Sequence, residues 1–280
     1  MRVRVVLAVV IVLLIAFAGL GWYVLTRPGP KLPPVSLPPS CTVSTDAGSV
    51  TLSPGQIANA ATIAAVGIRD AFGEQAIVVA LATAMQESRL QNLTGGDRDS
   101  VGLFQQRPSQ GWGRPDQIAD PRFASKQFYN ALFRVKGWQN MRVTEAAQRV
   151  QRSAYPEAYQ QWADQSTVMA AAFVGRTPGA LACGRLGQPE ARGTAAVQAL
   201  VSGLHLDWGE PIGIVSATTV TVSPVTVQEG WQYAHWMVAH AGGRDIARVR
   251  YSNQEWTADR GTWSTVGSSA TNVVAEVFGG

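Results

Sequence analysis

From Gln75 to Gln86 the chain runs for 12 residues without a charge, through Ile77, Val78, Val79, Leu81 and Met85. A helix that is apolar on every side has to be enclosed by other elements. The stretch therefore predicts a central buried helix over 74–92, and with it a helical shell. It ends in Glu87-Ser88-Arg89, which puts a carboxylate directly after the buried part. Upstream, Ser53-Pro54-Gly55-Gln56 carries the signals of a helix start: Ser as N-cap, Pro at the first helical position, Gln at the capping-box position. Ile57, Ala61, Ala64, Ile68 and Phe72 continue it at helical spacing, and Gly73 ends it.

After Asn92 comes a turn-rich loop, 93–100, and then Val101 to Gln106, read as a short strand. Asp120-Pro121, Thr144 and Pro156 each mark a further helix start, the last leading through Tyr159, Trp162, Val168 and Ala172. Thr194 to Leu204 reads as a final short helix. Beyond Trp208 the texture changes. Residues 212–227 are rich in Val, Thr and Ile, residues 229–241 have helical spacing, and 249–251 and 273–278 read as strands. This predicts four parts. They are a segment 1–26, a Pro-rich linker 27–52, a mainly helical domain 53–208 and a small α/β domain 209–280.

Residues 5–25 carry no charge and would form about 31 Å of helix, enough to cross a hydrocarbon core. Arg2 and Arg4 before it predict a cytoplasmic N-terminus and an exported body. The alternative is a cleaved signal peptide, with Ala16-Phe17-Ala18 as the small-residue cleavage site. Six prolines between residues 27 and 40 enforce an extended spacer of roughly 40 Å. The formal net charge of +4 resides wholly in residues 1–40, so the body is neutral. A neutral body lacks the footprint for a phosphate backbone, and nucleic acid is not expected as a partner. Cys41 and Cys183, an even number in an exported chain, predict a disulfide.

Glu87 is the residue the pattern singles out. Partial desolvation at the end of a buried helix raises a carboxyl pKa, as a general acid requires. Thr83 and Ala84, one turn back, are small enough to leave room for a cleft. The plainer reading is that Glu87 marks where the helix emerges into water.

Glu87-Ser88, a Gly-rich loop and then Gly102-Leu103-Phe104-Gln105 resemble the lysozyme-like superfamily, most closely the lytic transglycosylases. The string from Asp99 through Gln105-Gln106-Arg107-Pro108 to Gly113, and the later block 151–159, are similar to the actinobacterial cell-wall type. The resemblance covers about residues 55–175. Together with the segments read above, the resemblance gives an expected α+β chain: transmembrane helix, linker, mainly α lysozyme-like domain and small C-terminal α/β domain. It also implies cleavage of the bond between N-acetylmuramic acid and N-acetylglucosamine in peptidoglycan. Glu87 would protonate the glycosidic oxygen and then serve as base on the muramyl 6-hydroxyl, giving a 1,6-anhydro sugar. Ser88 would lie near the reacting sugar. Gly102, Leu103, Phe104 and Gln105 would form the cleft floor and wall, and Tyr155 would hydrogen-bond the acid. Trp112 would stack on a sugar ring or simply pack.

Two-carboxylate glycosidases hold their pair about 5–9.5 Å apart. Asp97, Asp99 and Asp116 lie in loops within reach, yet all three suit turn chemistry. One-glutamate transglycosylation is the favoured expectation, with muramidase-type hydrolysis as the alternative. A catalytically silent wall-binding scaffold is the other. Residues 230–256 resemble a small domain similar to the zinc D-Ala-D-Ala carboxypeptidase fold. Where that fold carries its histidines, this chain has Thr271-Asn272-Val273-Val274. His235 and His240 are five apart and do not share a helix face. No metal or cofactor is expected, and the domain is read as a binding or packing module. Envelope protein partners stay open.

Overall fold

A computed structural model describes residues 14–23, 26, 38–184, 186–209 and 213–279. Residues 1–37 and 38–280 are separate compact units. In the first, 14–23 are helical, with Leu14, Ile15, Phe17, Leu20 and Trp22 exposed. Among the described residues no helix is long and apolar enough to cross a membrane. Residues 5–13, 24 and 25 of the expected span lie outside them, as does the spacer 27–37.

The second unit is α+β, with helices and two small antiparallel sheets. It begins with β1 (Ser40–Thr45) and β2 (Gly48–Leu52), a hairpin that the sequence reading had placed in the linker. Cys41 and Val43 point inward and are buried, with Thr42 and Ser44 on the other face. This is the alternation of a half-buried strand. β3 (Leu181–Gly184) pairs with the other side of β1 in the order β2-β1-β3. Cys41 lies opposite Cys183, and the two form the expected disulfide, closing 142 residues of chain.

α1 (Pro54–Arg69) has the full capping box: Gln56 N–H donates to Ser53 Oγ, and Ser53 N–H donates to Gln56 Oε1. α2 (Glu74–Ser88) is buried from Ala76 to Met85 without a break. It packs against α1 and α6 (Ala163–Phe173), and contacts α4 (Pro121–Phe133) and α5 (Val143–Gln151). A four-residue turn of helix, α3 (Pro115–Ile118), precedes α4. α2 stops at Ser88 rather than Asn92, because Arg89 and Leu90 adopt left-handed backbone (φ 55° and 59°). Their N–H groups donate back to Met85 O and Ala84 O, closing the helix end. The helix expected from Pro156 begins only at Ala163. Residues 152–159 are irregular, and a single 3₁₀ turn (Gln160–Trp162) leads in.

α7 (Gly193–Trp208) leads to β4 (Thr219–Val222), α8 (Val227–Ala239), β5 (Ile246–Thr257) and β6 (Trp263–Val277). The second sheet has the order β4-β6-β5. α8 packs on α1, α6 and β3 on one side and on β5 and β6 on the other. One hydrophobic core therefore runs across residues 208 and 209, where the sequence reading had put a boundary.

Candidate active site

Glu87 occupies the last turn of α2. An acid there opposes the helix dipole by about 0.3–1 kcal/mol, so helix stability alone does not favour it. Its side chain is half-buried, and Tyr159 Oη donates to its Oε1 at 2.7 Å. The Tyr159 side chain is fully buried. Burial, reinforced by the Glu87 charge, pushes its phenol far above the ordinary tyrosine range, so it stays a proton donor. Beside the acid, Gln86 Oε1 accepts from Trp162 Nε1 (2.9 Å) and Gln161 Nε2 (3.1 Å). The Arg89 guanidinium lies 4.0 Å over the Trp162 ring.

Ser88 is buried, and its hydroxyl faces two backbone carbonyls, Leu103 O at 2.7 Å and Ala84 O at 3.1 Å. It pins the 102–105 turn to the helix end that carries Glu87, a positioning contact in place of the sugar contact expected for it. The segment expected as a strand is a tight turn, closed by hydrogen bonds in both directions between Val101 and Gln106. Gly102 has φ +79°, and a Cβ there would come within 2.7 Å of Ile118 O. No other residue fits that position without backbone movement. Leu103 and Phe104 are both fully buried, and Phe104 stacks on Phe128 at 4.8 Å. Their side chains anchor the turn in the core and offer no wall to a ligand, contrary to expectation. Gln105 is the half-buried member (φ 46°), with Nε2 donating to Gly102 O and Oε1 packed over Gly96, where a Cβ would collide with it.

Tyr155 does not reach the acid: it is 74% exposed, and Tyr159 makes that contact four residues later. A helix started at Pro156 and carrying Tyr159 with Trp162, Val168 and Ala172 gives no sign of this contact, whereas the irregular 152–159 segment turns Tyr159 toward Glu87.

The three candidate second carboxylates are held locally. Asp97 pairs with Arg107 at 2.6 Å, and Asp116 with Arg114 at 2.8 Å, which draws its carboxyl below the usual range. Asp99 accepts from both the backbone N–H and the hydroxyl of Ser109, and these bonds hold it low as well. His235 on α8 and His240 at its C-cap are both buried and hydrogen-bonded. Among the described residues no group of three or more His, Cys, Asp or Glu side chains converges. No protein-family model and no curated protein matches the chain.

Proposed function

We propose that the chain remodels peptidoglycan, cleaving the N-acetylmuramic acid–N-acetylglucosamine bond with Glu87 as its one acid and base. The observation that carries this is the seat of Glu87: a half-buried carboxylate at the end of a buried helix, gripped at Oε1 by a buried tyrosine hydroxyl. With Oε1 engaged, Oε2 is the oxygen that delivers the proton. Protonation of the glycosidic oxygen releases the N-acetylglucosamine end and leaves positive charge at the muramyl C1. Glu87, now a carboxylate, takes the proton of the muramyl 6-hydroxyl as O6 bonds to C1, which gives the 1,6-anhydro product. The local engagement of Asp97, Asp99 and Asp116 favours this one-carboxylate route over a two-carboxylate hydrolysis.

In this reading residues 53–208 are a lysozyme-like domain and 209–280 an accessory part. The N-terminal segment holds the body outside the cytoplasmic membrane. The Cys41–Cys183 disulfide supports export, since such bonds persist in oxidising compartments.

The test is mass spectrometry of muropeptides released from purified sacculi. Anhydro-muropeptides are expected. Reducing ends would assign hydrolysis, and no release would assign a silent scaffold. Glu87→Gln keeps the shape but loses the transferable proton, and should lower turnover about 10²–10⁴-fold. Wild-type turnover in that variant would sink the assignment.

A further inference from the structure

A groove of about 640 Å³ lies between the Pro108–Gln110 turn, α4 and α5. Arg134, Arg149 and Arg152 line it, with Trp112, Gln127 and Asn130 between them and no carboxylate on its wall. Residues 121–153 hold seven basic residues and one acid, in a body that nets to zero only because the rest of it is acidic. Three of the seven are engaged elsewhere: Arg122 by Asp207 and Asp120, Lys126 by Asp70, and Arg142 by Glu145 and Glu157. Glu145, one turn before Arg149, is the nearest acid on that helix, and its carboxylate is bonded to Arg142. The cations left without an ion pair among the described residues include all three groove arginines.

Guanidinium groups gathered around one concavity repel one another until an anion joins them, and their planar fork matches carboxylate oxygens. The amides of Gln110, Gln127, Asn130 and Gln151 add donors and acceptors that suit peptide groups, and Trp112 adds an apolar ring face. The groove is also tied to the candidate site. Gln151 Nε2 donates to Phe104 O at 2.8 Å, so its wall and the 102–105 turn are one hydrogen-bonded unit. Glu87 itself is not among the lining residues.

We propose that this groove binds the free carboxylates of peptide substituents on the glycan that Glu87 cleaves. The proposal rests on the reading given under Proposed function and adds the feature of the substrate that the protein selects. The amide-rich wall favours a peptide acid over a phosphate polymer.

The experiment uses the full-length chain carrying Glu87→Gln and two muropeptide fragments of equal length. One has free peptide carboxylates and the other has them converted to carboxamides. At low salt the free-acid fragment should bind about tenfold tighter, the scale of a few exposed charge pairs. That preference should fade toward about 0.5 M salt. Arg134→Gln, Arg149→Gln and Arg152→Gln together should abolish it with the melting temperature unchanged. Equal binding of the two fragments, a preference that survives the triple variant, or tighter binding of a glycerol-phosphate polymer would overturn the proposal. Cleavage by the wild-type chain is scored separately. A carboxylate preference without cleavage would sink the assignment of Glu87, and cleavage without a preference would sink the groove.

Discussion

Tyr159 donates its only hydroxyl proton to Glu87 Oε1, and its ring is sealed in the core. Two consequences separate it from Tyr155, whose side chain is 74% exposed. Tyr159→Phe keeps the packed ring and deletes one bond to the reacting carboxyl. A hydrogen bond to a charged group contributes about 1.5–3 kcal/mol, so kcat should fall about 10- to 100-fold. KM should hardly change, because the phenol orients the acid and does not face the ligand, and thermal stability should fall modestly, since the folded chain loses the same bond. Tyr155→Phe should leave kcat as it was. If Tyr155→Phe cripples turnover while Tyr159→Phe does not, the arrangement at Glu87 has been misassigned. The site was thus half legible from sequence. Glu87 could be found because a charge following 12 uncharged residues is conspicuous. Tyr159 could not be separated from core filler, because its contact depends on the path of an irregular segment with no periodicity. Leu103 and Phe104 sit in the expected motif, yet motif membership does not say which way a side chain faces.

α8 carries one buried histidine and is capped by another; His235 is held neutral by its partners, and His240 by burial. His235 Nδ1–H donates to Ala172 O at 2.7 Å, while Nε2 accepts the Ala180 N–H at 3.1 Å. A proton on Nε2 would face that N–H head-on. His240 Nδ1–H donates to Trp236 O, and its Nε2 lies 3.4 Å from Thr62 Oγ1, which itself donates to Asp207. Burial lowers both pKa values to about 4, only partly opposed at His240 by the charge of Asp207. A histidine whose folded pKa is depressed contributes stability above its unfolded pKa, and that contribution is lost as pH falls toward the folded value. The window here runs from pH 6.5 down to about 4. Across it each histidine withdraws about 3 kcal/mol, at roughly 1.4 kcal/mol per pKa unit. Urea midpoints should therefore drop steeply between pH 7 and pH 4.5. His235→Asn should flatten that slope while lowering stability at pH 7. A midpoint constant over that range would contradict the neutral seats. Helices announced by caps and period, such as α1 and α4, were legible, whereas β1, β2 and β3 were not. β1 and β2, five or six residues rich in Thr, Ser and Val beside a Pro-rich stretch, read as linker, and Leu181–Gly184 becomes a strand only by pairing with β1 across 142 residues.

The two sheets are joined less by strand pairing than by indoles. β3 is an edge strand, and its outward carbonyls are occupied. Trp263 Nε1 donates to Leu181 O at 2.7 Å and Trp256 Nε1 to Cys183 O at 3.2 Å. From α8, Trp236 Nε1 donates to Asp207 Oδ2 at 2.8 Å, where the same carboxylate pairs with Arg122 at 2.6 Å. Gln228 and Gln232 both donate to Val174 O, at the end of α6. Every one of these partners lies beyond residue 208, and every group they satisfy lies before it. A chain ending at Trp208 would keep Glu87, Tyr159 and the 102–105 turn. It would also uncover the β3 edge and return Asp207 and the α8-facing core to water. A buried tryptophan covers about 150–250 Å², worth roughly 4–6 kcal/mol, against a total stability of about 5–15 kcal/mol. Truncation after Trp208 is therefore expected to abolish cooperative unfolding and to give aggregates, as exposed edges and apolar faces do. The disulfide, worth about 5 kcal/mol for a loop of that length in the chain-entropy account, acts on the unfolded state and does not cover those surfaces. Size-exclusion chromatography and thermal unfolding of the truncated and full chains decide the matter. A monomeric truncated chain that melts cooperatively near the full-length temperature would make residues 209–280 a dispensable appendage, and the shared core would then carry far less of the stability than its burial implies.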